Sequence, residues 1–97
     1  MIDTHCHLDA AAFDHDRDAA VGRALVAGVT GILVPGTRPR TWGALRELTV
    51  RLSPVGVRCA IGIHPQVVPE LGEDELGGDL EARLAEAAAH AAAIGEC

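Results

Sequence analysis

Residues 29–36 read VTGILVPG, and this short apolar run predicts a β-strand that ends at Pro35-Gly36. A helix is predicted before the strand, because apolar residues recur there at helical spacing. Asp14 is placed to cap the start of this helix, and Gly28 stands where the residue just past its end belongs. A strand that directly follows a helix is typical of α/β proteins.

The same alternation continues outward in both directions. An apolar stripe led by Trp42 predicts a second helix, which begins at Thr37 or Arg38 and ends at Ser53-Pro54. The remaining predicted elements are a first strand at 2–8, a third strand at 57–63, a third helix at 76–91 and a fourth strand that begins at 94–97. The resulting order β-α-β-α-β-α-β predicts a parallel sheet joined by right-handed crossovers.

Two architectures fit this order of elements. One is an open doubly wound sheet, which would be complete at 97 residues. The other is the first part of a (β/α)₈ barrel, which typically needs roughly 250 residues. No Gly-x-Gly-x-x-Gly follows the first strand, so the sequence lacks the fingerprint of a dinucleotide-binding sheet.

The composition indicates an aliphatic core and an acidic surface. Apolar residues make up 48% of the chain, yet the aromatic ones are only Phe13 and Trp42, so Val, Ile, Leu and Ala must fill the core. The net charge is −6 and no basic patch stands out, which argues against binding a polyanion through charge alone. A nucleic-acid substrate would therefore need bound cations or further chain to supply positive charge.

Cysteine usage and the first residues bear on the compartment. Cys6, Cys59 and Cys97 are widely spaced and odd in number, which favours a reducing cytoplasm over a disulfide framework. The first residues show neither the basic nor the apolar region of a signal peptide. No apolar run approaches the roughly 18 residues of a membrane span. We therefore expect a cytoplasmic protein with no membrane partner.

His5 and His7 stand two residues apart at the end of the predicted first strand. Because successive side chains of a strand alternate, both imidazoles are expected on one face, with Cys6 on the other. Two nitrogens on one face, at the carboxyl end of a parallel strand, can chelate a metal ion. The other interpretation is a short polar strand end without a metal. The pair by itself favours neither interpretation over the other. Asp3 has the same parity and is either a carboxylate that orients an imidazole or a structural residue.

Two further polar residues stand at predicted strand ends: His64 after the third strand and Glu96 in the fourth. Gly95 leaves room beside Glu96, whose carboxylate can bridge two cations. His64, in Gly-Ile-His-Pro, is a structural histidine, a metal ligand or a hydrogen-bond donor to a substrate oxyanion, and we favour the donor. Ligand-type residues at the ends of strands one, three and four predict a site at one mouth of a barrel.

Basic residues and thiols offer weaker signals. Arg38 and Arg40 follow the second strand, where their guanidinium groups could reach a phosphate. A solvated helix start is the alternative for both, and we favour it. All three cysteines are expected to pack rather than react.

Four successive motifs resemble signatures of the TatD family of metal-dependent hydrolases. They are DTHCHLD at 3–9, VPG at 34–36, GIHPQ at 62–66 and IGEC at 94–97. Together they run the length of the chain in the order of the family, which makes the set far more specific than any one motif. The resemblance implies about four βα units, the N-terminal portion of a TIM-type (β/α)₈ barrel of the amidohydrolase-like kind. Residues 1–97 would belong to this single domain, with no second domain.

The resemblance also implies the chemistry. His5, His7 and Glu96 correspond to metal ligands of the family, and His64 to a histidine associated with the substrate phosphate. The implied activity is metal-assisted hydrolysis of phosphodiester bonds in DNA. Two divalent cations are expected, of zinc, manganese, nickel or, less well suited, magnesium. They would also bring positive charge to an acidic protein.

One departure from the family concerns the remaining metal ligands, which the family draws from strands later than Cys97. We therefore expect a truncated chain with an unfinished site, negligible nuclease activity by itself and self-association through open sheet edges. Two other functions stay open at this point. One is a different amidohydrolase-like enzyme that acts on an amide, lactone or ester; the other is a non-catalytic α/β module complete at 97 residues.

Overall fold

The computed structural model of the chain describes residues 1–95, so the predicted ligand Glu96 lies outside the described residues, as does Cys97. Four strands alternate with helices in the predicted order. The strands are β1 (Ile2–Asp3), β2 (Gly31–Pro35), β3 (Val57–Ile61) and β4 (Ala93–Ile94). The helices are α1 (Arg17–Val26), α2 (Trp42–Leu52), α3 (Glu73–Leu76) and α4 (Leu80–Ala88). Short 3₁₀ turns occupy Ala11–Phe13, Pro39–Thr41, Ser53–Val55 and Val68–Glu70.

All four strands are parallel and neighbour one another in sequence order, β1-β2-β3-β4. A doubly wound sheet instead reverses direction at a switch point, where a later strand is placed on the other side of the first. Each βα unit here adds its strand beside the preceding one, as in a barrel. The structure thus confirms the α/β barrel-type prediction over the open doubly wound sheet.

The core lies between the sheet and the helices. Alternate side chains of β2 and β3 point toward α2, and Val34, Val57 and Ile61 are at most 1% exposed. From α2, Leu45 is equally buried and Trp42 lies beside it in the same cluster. This face is mostly aliphatic, as the composition predicts, and Trp42, Cys59 and Thr49 are buried there as well.

The outer strands are exposed. Ile2 on β1 is 66% exposed and Ile94 on β4 is 55% exposed. Both strands are edges of the described sheet, and an edge leaves backbone N–H and C=O groups available for pairing. The exposure of these two isoleucines follows from their positions at the edges.

Several predicted boundaries are wrong. The second helix begins at Trp42, after the 3₁₀ turn Pro39–Thr41, rather than at Thr37 or Arg38. The first strand ends at Asp3 rather than at residue 8, because the chain bends at Thr4. The first helix begins at Arg17 rather than after Asp14, whose carboxylate accepts a hydrogen bond from the Arg17 side chain at 2.9 Å. The third helix, predicted at 76–91, is confined to α4 at Leu80–Ala88, because Gly77-Gly78, with Gly78 at φ +66°, separate it from the short α3, which begins at Glu73, before the predicted start.

Other boundaries are confirmed. Gly28 follows α1 with φ +98°, the left-handed conformation expected of a glycine just past a helix end. α2 ends at Leu52, directly before Ser53-Pro54. Among residues 1–95, no helix combines the length and the apolar character that crossing a bilayer requires.

Candidate metal centre

His5 and His7 lie just beyond the carboxyl end of β1. Their ring centroids are 5.0 Å apart and the rings meet nearly edge to face, at 87°. Both side chains are exposed, whereas Cys6 between them packs against the core. The expected common face is therefore found, although the strand itself ends before the pair.

Hydrogen bonds hold the backbone at His5 and at Cys6. The Asp3 carboxylate accepts a hydrogen bond from the backbone N–H of His5 at 3.1 Å. The N–H of Cys6 donates to the carbonyl oxygen of Leu33 at 3.2 Å, which keeps the segment beside β2 after the regular strand has ended. Asp3 thus positions the chain at His5 through its backbone, which is a structural role of the kind left open by the sequence.

The segment after His7 is held by a residue that the sequence analysis missed. The Arg17 guanidinium donates hydrogen bonds to carbonyl oxygens of Leu8 and Ala10, at 2.7 and 3.0 Å. The one available sequence signal was its position, because an arginine in the first turn of a helix opposes the helix dipole and needs another reason to be there. Leu8, which directly follows His7, is only 2% exposed and anchors the segment in the core.

His64 leaves β3 at its carboxyl end and is half-buried. Its backbone N–H donates to the carbonyl oxygen of Thr37 at 2.8 Å, which joins the loops that follow β2 and β3. Its ring Nδ1 accepts a hydrogen bond from the backbone N–H of Gln66 at 3.0 Å. In the neutral ring the proton is then on Nε2, which is the tautomer of a hydrogen-bond donor.

The loop that carries His64 is also anchored by an ion pair between Arg38 and Glu75. The Nε of Arg38 donates to Glu75 Oε2 at 3.1 Å, and its Nη2 donates to Oε1. The backbone N–H of Arg40 donates to the same carboxylate at 3.3 Å. Glu70 lies 3.9 Å from the guanidinium. A solvated helix start is therefore wrong for Arg38, because its charge is engaged by a buried carboxylate.

The burial of this pair has an electrostatic consequence. Glu75 is 4% exposed, and its hydrogen bonds from Arg38 hold the pKa of its carboxyl below the ordinary value. The same hydrogen bonds raise the pKa of the Arg38 guanidinium. Both groups are consequently charged at neutral pH.

The described thiols are packing residues. Burial is the largest cause that raises the pKa of Cys6, and the negative charges of Asp3 and Asp9 add to it. Burial also raises the pKa of Cys59, against a smaller opposite effect of a hydrogen bond with Thr49. Thiols of raised pKa are poor nucleophiles and poor metal ligands at neutral pH, because the thiolate is the reactive form.

The donor set suits a divalent cation in part. Two imidazoles share one exposed face beside a parallel strand end, as catalytic metal sites in α/β proteins require. Within residues 1–95, no three His, Cys, Asp or Glu side chains come together as a complete site. The predicted third ligand, Glu96, is outside that part of the chain, so its role stays a prediction, as do the roles of His5, His7 and His64.

Comparisons with known proteins agree with these motifs. The chain is 34% identical over 96 residues to a protein of Escherichia coli K12 named an uncharacterized metal-dependent hydrolase, YjjV. It is 36% identical over 97 residues to the 3'-5' ssDNA/RNA exonuclease TatD of Erwinia billingiae. The solved structure of YjjV, described as a TatD homologue, superposes with a TM-score of 0.80 and 33% identity over 99% of this chain.

The shared part is the N-terminal portion of these proteins. The matches include 99% or more of this chain but only 36% of each relative and 36% of the solved YjjV chain. The chain therefore spans about a third of the length of the relatives that it matches. Its fold is that of the first βα units of their TIM-type barrel. The family model described as "TatD related DNase" matches residues 2–97, and the chain belongs to that family.

Proposed function

We propose that residues 1–97 supply the first part of the active site of a TatD-type deoxyribonuclease, which hydrolyses phosphodiester bonds of DNA with divalent metal. The observation that carries the proposal is the common exposed face of His5 and His7 at the carboxyl end of β1. The Erwinia relative is named an exonuclease of single-stranded DNA and RNA, which supports a nucleic-acid substrate. The proposed domain is one barrel, to which the whole of 1–97 belongs.

In this proposal His5, His7 and Glu96 hold divalent metal, with two cations and with zinc, manganese, nickel or magnesium as the metal. Bound metal would polarise the phosphodiester and assist the attack of water. The histidines must be neutral to serve as ligands. Their exposure keeps the face accessible to both metal and substrate.

His64 has a separate proposed task, to donate a hydrogen bond from Nε2 to a phosphate oxygen. The hydrogen bond from Gln66 to Nδ1 supports it, because it fixes the tautomer and the orientation of the ring. Hydrogen bonds to charged groups are roughly twice as strong as neutral ones. The strand order places His64 two strands from β1, at the same end of the parallel sheet.

The acidic composition also fits a metal-dependent enzyme. A chain of net charge −6 repels a polyanion over long distances, so DNA binding must depend on local positive charge. Bound cations supply that charge at the reacting phosphate. We accordingly expect binding of DNA to weaken sharply when metal is removed.

Further parts of the proposal concern the isolated chain and its setting. By itself it should have negligible nuclease activity, since the relatives are almost three times as long. Its two edge strands should favour self-association. A cytoplasmic setting is supported by the free thiols of Cys6 and Cys59, because reducing conditions keep cysteines unpaired.

A hybrid barrel tests the proposed activity. Residues 1–97 replace the matching third of the Erwinia exonuclease, and cleavage of single-stranded DNA is measured with and without Mn²⁺. We expect metal-dependent cleavage that falls by more than about a hundredfold when His5 and His7 are both changed to Ala. The matched control changes His15 and His90, exposed histidines on other parts of the surface, and should keep full activity.

Two outcomes of the hybrid experiment would count against the proposal. One is a folded hybrid, shown by circular dichroism, whose cleavage is the same with and without His5 and His7. The other is a hybrid that hydrolyses amides or lactones in place of DNA, which would indicate a different amidohydrolase-like activity.

A further inference from the structure

The Arg17 side chain donates hydrogen bonds to the segment that directly follows His7. Its Nε donates to the carbonyl oxygen of Leu8 at 2.7 Å. Its Nη2 donates to the carbonyl oxygens of Ala10 and Asp9 at 3.0 and 3.4 Å, and to the Asp14 carboxylate at 2.9 Å. Only 18% of this side chain is exposed, although it is charged. One guanidinium thus satisfies three successive backbone carbonyls.

A short path of hydrogen bonds connects this guanidinium to His7. The carbonyl oxygen of Ala10 accepts from Arg17, while the backbone N–H of Ala10 donates to the carbonyl oxygen of His7 at 3.0 Å. On the other side, the N–H of Leu8 donates to the carbonyl oxygen of Cys6 at 2.9 Å. Arg17, a residue of α1, therefore holds Leu8 and Ala10, and these two residues are hydrogen-bonded to the backbone of Cys6 and His7.

The planar fork of arginine suits this task. Nε and Nη2 point in the same direction, so they reach two carbonyls two residues apart in one geometry. Lysine offers one ammonium nitrogen and no fork, and glutamine offers no charge. The side chain also stands in the first turn of α1, where a positive charge is unfavourable unless acceptors compensate it.

We propose that Arg17 is a positioning residue, which holds the backbone after His7 so that the His5 and His7 rings keep a common orientation for metal. This inference rests on the proposed function, because it takes the pair to be metal ligands. Arg17 itself contacts no metal in this scheme. It acts through the carbonyl oxygens of Leu8 and Ala10 on the turn that begins at His7.

The test compares Arg17→Gln and Arg17→Lys with two controls in the 97-residue chain. Arg23→Gln removes an exposed arginine of the same helix, whose partner is Asp16. Val21→Ala removes methyl groups from the buried face of α1, which destabilises the fold, and it leaves Arg17 and the carbonyl groups that Arg17 binds unchanged in the sequence. The readouts are the affinity for Ni²⁺ by titration calorimetry and, without metal, the nuclear Overhauser effect between the two imidazole rings.

We expect Arg17→Gln to weaken Ni²⁺ binding by roughly tenfold and to abolish the nuclear Overhauser effect between the His5 and His7 rings. The Ni²⁺ affinity of Arg17→Lys should lie between that of Arg17→Gln and that of the unchanged protein. Arg23→Gln should match the unchanged protein in both readouts. Val21→Ala should lower the urea midpoint yet keep both readouts, provided that they are recorded where the variant is folded.

Two results would overturn the inference. One is retention of the effect between the rings in Arg17→Gln, whatever happens to metal binding. The other is an equal loss of Ni²⁺ affinity in Val21→Ala, which would reduce Arg17 to a general contributor to stability. Failure of the proposed function has a different signature, namely Ni²⁺ binding that is unchanged when His5 and His7 are both replaced by Ala.

Discussion

The indole N–H of Trp42 donates a hydrogen bond to the carbonyl oxygen of Gly62, with 3.2 Å between the two atoms. Trp42 is 6% exposed and begins α2, while Gly62 follows β3 and lies two residues before His64. The bond joins the start of a helix to the exit of a strand. It therefore fixes the point at which the chain leaves the sheet toward the candidate site.

Trp42→Phe should keep most of the apolar contact and remove this bond. A buried acceptor that loses its donor costs about 1–3 kcal/mol, so the free energy of unfolding in urea should fall by that amount. The backbone amide resonances of residues 62–64 and of Gln66 should shift more than those of β2. Unchanged stability together with unchanged resonances at these residues would show that the bond positions nothing.

Glu75→Gln should make the stability of the chain less dependent on acid. The pKa of Glu75 is held below its ordinary value of 4.5 in the folded protein, mainly by the hydrogen bonds from Arg38. A lowered carboxyl pKa contributes stability that is present above the ordinary value and lost as the pH falls through the folded value. The unchanged protein should therefore lose stability below about pH 4.5, and the variant should lack this component.

Urea midpoints between pH 7 and pH 3 measure the Glu75 effect. The variant should have the lower midpoint at pH 7, since it leaves the Arg38 charge without its carboxylate. Glu73→Gln is the matched control, because Glu73 is an exposed residue of the same short helix. Parallel pH profiles for Glu75→Gln and the unchanged protein would contradict the assignment.

Gly56→Ala should destabilise the fold, whereas Gly43→Ala should not. Gly56 has φ +83°, and a Cβ built there would lie 2.6 Å from the carbonyl oxygen of Thr30. The left-handed conformation alone costs a residue with a side chain about 1–3 kcal/mol. Gly43 lies on α2 with nothing within 4 Å of such a Cβ, so alanine there should stabilise the helix by about 0.5–1 kcal/mol. Thermal unfolding of both variants checks the opposite signs.

Self-association should depend on the edge strands. Ile2→Lys and Ile94→Lys place a charge on β1 and β4, where exposed isoleucines now stand. We expect each to lower the association of the chain in sedimentation velocity experiments over a range of concentrations. Val26→Lys is the control, since Val26 is 91% exposed at the end of α1 and not on a strand. Equal effects of all three would point to general solubility instead of edge pairing.

The order of elements could be predicted from the sequence because each element carries its own periodicity and its own end signal. Gly28 after α1 and Ser53-Pro54 after α2 are such signals, and both act locally. The start of α1 could not be placed, because the Asp14 carboxylate is engaged by the side chain of Arg17. That contact depends on the fold of the segment between the two residues.

The candidate site also has one feature that could be predicted from the sequence and contacts that could not. The common face of His5 and His7 was predicted from strand alternation. It is found although β1 ends at Asp3, and the hydrogen bond from the N–H of Cys6 to the carbonyl oxygen of Leu33 keeps the segment beside β2. The partners of Arg38 could not be predicted, because Glu75 stands 37 positions later in the sequence and only the fold brings it to Arg38. The three carbonyls that Arg17 binds are 7 to 9 positions earlier; its place in the first turn of α1 indicates that it needs acceptors but does not identify them.

Proton NMR with Mn²⁺ is the most direct test of the claim that His5 and His7 are metal ligands. Mn²⁺ is added to the 97-residue chain in small fractions of one equivalent, and the broadening of each histidine ring resonance is followed. The account predicts that His5 and His7 broaden first, and that His15 and His90 remain sharp until more metal is present. Broadening of His15 or His90 before the pair, or equal broadening of all four, would contradict it.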